Sequence, residues 1–144
     1  YVIPFGKART VLEANSEKIK NGESLAIITY GRGVYWSLEA EKQFQGQVEV
    51  IDLRTLNPLD EDAMYSAARK HGKIMVVTEE SVECGFSLGL MARIQKNCFK
   101  SLDAPVEIVG SVDTPAIPLN STLEFTLLPN GEKVATAIGK LLAY

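Results

Sequence analysis

Three carboxylates lie together at the place where a buried strand is expected to end. Glu79, Glu80 and Glu83 follow the apolar residues 74–77. The carboxyl ends of parallel strands are where open α/β sheets place their sites, and paired carboxylates can act as general acid and base. Carboxylates clustered in a loop can also form a solvated patch that attracts a basic partner. We interpret this segment as a solvated acidic loop or a docking patch, with acid–base catalysis as the alternative.

A second place for chemistry is the glycine pair Gly31 and Gly33, between a predicted strand and a predicted helix. Glycines in such a turn let a phosphate group approach the helix N-terminus. A dinucleotide fingerprint needs a third glycine three residues later, and Trp36 stands there instead. We therefore favour a tight turn that starts a helix, with nucleotide binding as the alternative.

Few side chains could carry a proton or act as a nucleophile. The only histidine in the sequence is His71, and it precedes Gly72, the expected C-cap of a helix. A cation is favoured at that position by the helix dipole, so we expect helix-end stabilisation rather than acid–base work. Cys84 and Cys98 are too few for a disulfide framework and, with one histidine, too few for a zinc site. We expect reduced, partly buried thiols.

The element on which the rest of the prediction depends is a strand followed by a helix. Residues 48–53 form a nearly continuous apolar run, which is typical of a strand buried on both faces of a parallel sheet. Asp60, Glu61 and Asp62 suit the first turn of a helix, where backbone N–H groups favour negative charge. The helix is expected to end at the glycine at position 72.

The same patterns predict the other elements. Further strands are expected at 8–13, 25–30, 74–77 and 106–109, with helices over 34–46, over 86–98 and from about 132. Residues 15–22 are expected to be a surface connection, too short for a crossover helix, so the first strand should pair antiparallel with the next. Residues 110–131, with three prolines, are expected to be a long ordered loop. Together these elements predict an α/β fold with three layers, helices lying on both faces of a mostly parallel sheet.

Composition limits the class of protein. The chain has 144 residues, 46% hydrophobic and 23% charged, which predicts one domain over residues 1–144. A net charge of -3 and a pI near 5.2 argue against nucleic-acid binding. No apolar run is long enough to span a membrane, and no signal-peptide pattern is present, so we expect a soluble intracellular protein. Because the first residue is Tyr1, we expect a processed chain or a piece of a longer protein.

Six motifs, in the same order along the chain, carry a resemblance to a known family. The chain resembles the carboxyl-terminal domain of the β subunit of 2-oxoacid dehydrogenase decarboxylating components, which use thiamine diphosphate. The motifs are IPFGKA at 3–8, ITYG at 28–31, VIDLRTLNPLD at 50–60, VVTEE at 76–80, LDAPV at 102–106 and DTPAIP at 113–118.

The resemblance implies a transketolase C-terminal-like fold, with five strands of which the first is antiparallel to the rest. It also implies that thiamine diphosphate, magnesium and the catalytic residues belong to other parts of the parent enzyme, so that no catalytic, cofactor-binding or metal-binding residue is expected in this chain. The parent would oxidatively decarboxylate a 2-oxoacid, pyruvate or 2-oxoisovalerate, and transfer the acyl group to lipoyl groups. It would be cytoplasmic, or in the mitochondrial matrix of a eukaryote.

The resemblance further implies a set of protein partners. These are an α subunit or α portion, an upstream β domain, a second β subunit in a two-fold dimer, and the basic subunit-binding domain of the acyltransferase core. For the last partner we expect Glu79, Glu80, Glu83 and the terminal carboxylate of Tyr144 to offer complementary charge. The alternatives are the same domain of another transketolase-like enzyme, a nucleotide- or flavin-dependent α/β enzyme, and a free-standing ligand-binding module.

Overall fold

The structure is a computed structural model that describes residues 2–144, so Tyr1 lies outside the described residues. Residues 2–4 have no regular secondary structure and lead into a turn at Phe5 and Gly6. The strands are β1 (Arg9–Leu12), β2 (Leu25–Thr29), β3 (Val48–Asp52), β4 (Ile74–Ser81) and β5 (Glu107–Ser111). The helices are α1 (Ser16–Lys20), α2 (Gly33–Ala40), α3 (Glu61–His71), α4 (Phe86–Cys98), α5 (Ser121–Leu127) and α6 (Gly131–Leu142).

The strands form one five-stranded sheet in the order β1-β3-β2-β4-β5. The β2–β3, β2–β4 and β4–β5 pairs are parallel, and β1 pairs antiparallel with β3. This confirms the predicted fold class. The predicted partner of β1 was wrong, because both edges of β2 are occupied: Ile27 lies opposite Val50 of β3 and Met75 of β4. The outer edge of β3 is left for β1, where Thr10 lies opposite Ile51.

Each face of the sheet is covered by a separate apolar cluster. Residues Leu25 and Ile27 of β2 point to the side covered by α2 and α6, together with Trp36, Val134 and Ile138. Their neighbours Ala26 and Ile28 point to the side covered by α3 and α4, together with Met64, Leu90 and Ile94. Successive side chains of a strand point to opposite faces, so the continuous apolar run of β2 serves both clusters. The three-layer arrangement follows from this double burial.

The ends of α3 agree with the prediction. The Asp60 side chain accepts a hydrogen bond from the N–H of Ala63 at 3.2 Å, which satisfies one of the unpaired donors of the first turn. Gly72 follows the last turn with φ of 69°, the left-handed conformation that glycine adopts without a steric penalty.

Two segments predicted to lack helices contain them, and in both the sequence signal is a capping asparagine. Within the predicted connection, Asn15 caps α1 and accepts the N–H of Glu17 at 2.8 Å. Within the predicted loop 110–131, Asn120 caps α5. Lys133 of α6 then binds the free carbonyls at the other end of α5, with Nζ lying 2.6 Å from the oxygens of both Thr126 and Leu128. The helix predicted over 34–46 is also shorter, because α2 ends at residue 40 and a 3-10 turn follows.

The glycine turn after β2 allows α2 to approach the sheet closely. A Cβ atom on Gly33 would lie 2.8 Å from the backbone oxygen of Val77 and closer still to the Thr29 hydroxyl. That hydroxyl already donates to the Val77 oxygen at 2.8 Å, so neither group can move aside freely. The turn therefore has a packing role, which depends on the absence of a side chain at Gly33.

We expect Gly33→Ala to lower the free energy of unfolding by about 1–3 kcal/mol, because the added methyl group overfills this contact. Urea denaturation measures the change. Gly89→Ala is the matched control, since a Cβ on Gly89 in α4 meets nothing within 4 Å and alanine is the better helix former. Equal stability of the two variants would contradict this account of the turn.

Candidate docking surface

The acidic residues predicted to form a loop lie partly in a strand. Strand β4 continues to Ser81, which pairs with Ser111 of β5 after an irregularity in the register. The Ser111 hydroxyl donates to the backbone oxygen of Glu79 at 2.5 Å and helps to hold this extension. The prediction that Glu79 and Glu80 lie in a loop was therefore wrong, whereas Glu83 lies in the turn that follows.

Glu80 differs from the other two carboxylates, because it is half-buried and already bound. Its Oε1 atom accepts the N–H of Ser87 at 2.7 Å, in the first turn of α4. Its carboxylate also lies near the hydroxyl of Tyr30, which accepts a hydrogen bond from Thr78 at 2.9 Å. Burial, together with the nearby Glu80 carboxylate, raises the pKa of Tyr30 to about 12. Glu80 therefore caps the first turn of α4.

Glu79 and Glu83 are exposed, and the structure adds a third carboxylate to them. Asp113, just after β5, is exposed and accepts a hydrogen bond from the Ser81 hydroxyl at 3.3 Å. These residues lie where β4 and β5 end. We call Glu79, Glu83 and Asp113 the acidic rim. The strand at 74–77 was not predicted to extend further, so Asp113 was not predicted to belong to this group.

The structure does not bring Tyr144 to the acidic rim. Tyr144 follows α6 and lines a cavity of about 180 Å³ together with Glu107, the first residue of β5. The rim lies at the other end of β5, where Ser111 pairs with Ser81. The predicted docking residues are thus divided between opposite ends of the sheet.

An apolar surface lies beside the ends of the strands. Phe125 of α5 and Trp36 of α2 line a cavity of about 310 Å³, with Arg32 lying 5.6 Å from the centre of the Trp36 ring. On the same two helices, large apolar side chains are exposed, with 62% of Phe125 and 73% of Tyr35 accessible to solvent. We call the exposed side chains of these two helices and the segment before α5 the apolar surface; its members are Tyr35, Leu119, Leu123 and Phe125.

A buried polar cluster lies at the opposite, amino-terminal end of the sheet. His71 is 4% exposed, with Nδ1 2.8 Å from the Ser24 hydroxyl and Nε2 3.2 Å from Oε2 of Glu49. Lys70 forms an ion pair with the same carboxylate. Helix-end stabilisation by His71 is therefore an incomplete description, because its ring is bound on both sides. The signal in the sequence was Glu49, a carboxylate inside an otherwise apolar strand.

The residue types in this cluster match those of a hydrolytic triad, but its geometry does not. Ser24 is fully buried and hydrogen-bonded, so its hydroxyl cannot reach a substrate. A second motif, Gly85-x-Ser87-x-Gly89, has the spacing of a nucleophile elbow. Ser87 lies in the first turn of α4, and its hydroxyl is buried without a partner. No histidine lies beside it, since His71 is at the other end of the sheet.

The match to a family covers most of the chain. Residues 14–134 match the family described as "Transketolase, C-terminal domain". The chain belongs to the transketolase C-terminal domain family. Its five-stranded sheet, with one antiparallel edge strand and helices on both faces, agrees with the fold expected of the family.

Relatives of this family member include β subunits of several enzymes. The chain is 35% identical over 147 residues to the 2-oxoisovalerate dehydrogenase subunit beta of Bacillus subtilis, covering 100% of this chain and 42% of that protein. It is 37% identical over 142 residues to the pyruvate dehydrogenase E1 component subunit beta of Rickettsia bellii, covering 96% and 41%. It is 33% identical over 145 residues to the acetoin:2,6-dichlorophenolindophenol oxidoreductase subunit beta of Cupriavidus necator, covering 99% and 40%. The resemblance to 2-oxoacid dehydrogenase β subunits is thereby confirmed, and the chain spans about two fifths of the length of these relatives.

A solved structure has the same fold. The structure described as "Split gene transketolase, inactive beta4 tetramer" superposes with a TM-score of 0.75 at 22% identity, covering 98% of this chain and 44% of that one. At this identity the likeness shows the fold alone.

The residues of this transketolase C-terminal domain do not fit a diphosphate–magnesium site. Within residues 2–144, no group of three or more His, Cys, Asp or Glu side chains could hold a metal ion. The amides of the glycine turn are used internally, since the N–H of Gly33 donates to Tyr30 at 3.2 Å and that of Tyr35 donates to Arg32 at 3.1 Å. Nor does any helix in the described part of the chain have the length and apolar character to cross a membrane.

The buried cluster predicts a particular dependence of stability on pH. Burial alone would raise the pKa of Glu49, but the hydrogen bonds and charges of His71 and Lys70 outweigh it and lower the pKa below its ordinary value. The stability that Glu49 contributes is therefore present above the ordinary glutamate pKa, and it is lost as the pH falls through the lower, folded-state pKa.

We expect Glu49→Gln to lower the free energy of unfolding at pH 7 by about 1–3 kcal/mol, since it leaves buried partners poorly paired. On acidification, the native chain should lose stability more steeply than the variant. Urea denaturation at a series of pH values from about 7 to 3 measures both effects. Glu13→Gln, at an exposed position, is the control. Parallel pH curves for Glu49→Gln and the native chain would contradict the assignment.

Proposed function

We propose that this chain is the carboxyl-terminal domain of the β subunit of a 2-oxoacid dehydrogenase decarboxylating component, and that residues 1–144 form a single domain of a longer polypeptide. In this proposal the domain contributes contacts between subunits and carries no catalytic residue of its own. The observation that carries the proposal is the apolar surface, a set of large apolar side chains that are exposed and lie outside both cores. The relatives support the choice of parent enzyme.

For the apolar surface we propose contact with other subunits of the assembled enzyme. Leu123 is 52% exposed and Leu119 is fully exposed. Leu123 lies in α5 together with Phe125, Leu119 directly precedes the cap of that helix, and Lys133 of α6 binds carbonyls at its end. A second β subunit related by a two-fold axis is the partner proposed for this domain, because an isologous contact lets the same patch be used twice. An α subunit and the upstream β domain complete the proposed assembly.

For the acidic rim we propose a second kind of partner, the small basic subunit-binding domain of an acyltransferase core. The rim offers three carboxylates, Glu79, Glu83 and Asp113, and none of the ion pairs among residues 2–144 involves them. Glu80 is left out of this proposal because it caps α4. Tyr144 would belong to a separate contact at the other end of the sheet.

A second candidate parent is a transketolase-like enzyme that acts on acetoin. The observation that favours it is sequence identity of 33% to the Cupriavidus necator β subunit, against 35% to the Bacillus subtilis 2-oxoisovalerate dehydrogenase subunit. For either parent we propose that thiamine diphosphate and magnesium bind outside residues 1–144. We also propose that the parent is located in the cytoplasm, or in the mitochondrial matrix of a eukaryote.

We expect residues 1–144 alone to bind no thiamine diphosphate in isothermal titration with magnesium present, because the domain lacks a diphosphate cradle. The protein at its natural length, purified with its α partner, should reduce an artificial electron acceptor with 2-oxoisovalerate or pyruvate. Light scattering on the same sample should show two β copies per particle. Turnover with acetoin alone would favour the second parent, and micromolar cofactor binding by residues 1–144 would contradict the assembly role.

We expect the double substitution Glu79→Lys and Glu83→Lys to slow association of the assembled protein with the acyltransferase subunit-binding domain about tenfold at low salt, and to reduce its salt dependence. Surface plasmon resonance at two ionic strengths measures this rate. The double substitution Glu13→Lys and Glu107→Lys changes the net charge equally, and it also places a charge beside Tyr144. If the second pair slows association and the first does not, docking takes place at the Tyr144 end instead.

A further inference from the structure

The residues that precede β1 are hydrogen-bonded to the loop between β3 and α3. The N–H of Gly6 donates to Oγ1 of Thr55 at 2.9 Å. Two residues later, the N–H of Ala8 donates to Oδ2 of Asp60, also at 2.9 Å. Directly afterwards β1 begins, with Arg9 lying opposite Asp52 of β3. The backbone is therefore held continuously from position 6 into the sheet.

The loop that binds this segment is itself held by further hydrogen bonds. The Thr55 hydroxyl that accepts from Gly6 also donates to the backbone oxygen of Pro58 at 2.9 Å. Asp60 is 8% exposed and uses its other oxygen to cap α3 through Ala63. Both acceptors are thus fixed by a second bond, so each presents its oxygen at a set position.

Gly6 is suited to this place in two ways. Its φ of +67° is a conformation that L side chains rarely adopt. A Cβ atom there would also lie 3.1 Å from Cγ of Pro58, so the entering chain lies directly against the loop.

Among the described residues before Gly6, positions 2–5, no hydrogen bond of this kind occurs. Val2 is 88% exposed and Phe5 is 82% exposed, whereas Ala8 packs against the core on the α3 side. The chain is therefore exposed up to Phe5 and hydrogen-bonded to the domain from Gly6 onward. Large apolar side chains just before this boundary are suited to contact with whatever polypeptide precedes them.

We propose that Gly6, Ala8, Thr55 and Asp60 form a clasp that sets the direction in which the preceding part of the polypeptide leaves this domain. The pivot between the two parts then lies at the bond between Phe5 and Gly6. The second half of this inference rests on the proposed function, because it needs a longer parent chain. The first half, the clasp itself, does not.

Three substitutions weaken the clasp. Thr55→Val removes the acceptor for Gly6 with almost no change of shape, and Thr55→Ser is its matched control because it keeps the hydroxyl. Asp60→Asn replaces one of the two carboxylate oxygens by a donor, so the side chain can still cap α3 but cannot also accept from Ala8. Gly6→Ala weakens the hydrogen bond between Gly6 and Thr55 at its donor, because alanine rarely adopts the positive φ of position 6.

The measurement is hydrogen–deuterium exchange by mass spectrometry on the protein at its natural length, following the amides of residues 6–9. We expect Thr55→Val, Asp60→Asn and Gly6→Ala each to speed exchange there by up to about tenfold, the effect of losing one net hydrogen bond. Exchange in β3 and β4 should not change. Trypsin should also cut faster after Lys7, the residue between the two clasp bonds.

The clasp is refuted if exchange at residues 6–9 is unchanged in these variants, or if Thr55→Ser speeds it as much as Thr55→Val. Small-angle scattering on the same samples tests the orienting role, for which we expect a larger radius of gyration in the variants. Faster exchange with unchanged scattering would overturn the orienting role and leave the clasp. Neither readout requires enzymatic activity, so a failure of the proposed function is seen separately in the turnover assay.

Discussion

The fold depends on the burial of β2, a strand bonded along both edges and covered on both faces. All five of its residues are buried, and its neighbours β3 and β4 run parallel to it. Parallel neighbours require crossover helices, and crossovers to two sides place helices on both faces. The close approach of α2 at Gly33 belongs to the same constraint, because the helix must begin within one turn of the end of β2. The three layers, the two cores and the glycine turn are thus consequences of one buried strand.

One charged side chain, that of Glu49, is buried within this largely apolar fold. Glu49 lies in β3 and is 4% exposed, a position where an unpaired carboxylate would cost several kcal/mol. His71 and Lys70 offset that cost from α3, and Ser24 binds the other side of the histidine ring. The cluster therefore ties the end of α3 to the starts of β2 and β3. It specifies how α3 is placed along the sheet, which apolar contacts alone determine only loosely.

The parts of the fold that the sequence predicted are those set by local patterns. Continuous apolar runs located β2, β3 and β4, and the acidic first turn with Gly72 located α3. What could not be predicted depends on contacts between distant residues. The partner of β1 depends on which edges of other strands are occupied, and the extension of β4 to Ser81 depends on pairing with Ser111. The role of Glu80 likewise depends on the position of the first turn of α4.

The two ends of the sheet differ in how their polar groups are satisfied. At the amino-terminal end, charged groups are bound inside the domain: Lys73 donates to the backbone oxygen of Gly22 at 3.1 Å, and Glu49 is paired. At the carboxyl-terminal end, where α/β sheets usually bind ligands, Glu80 accepts the N–H of Ser87 in α4, and the Tyr30 hydroxyl accepts a hydrogen bond from Thr78. These half-buried groups are therefore used within the domain, whereas Glu79, Glu83 and Asp113 of the acidic rim remain exposed to solvent.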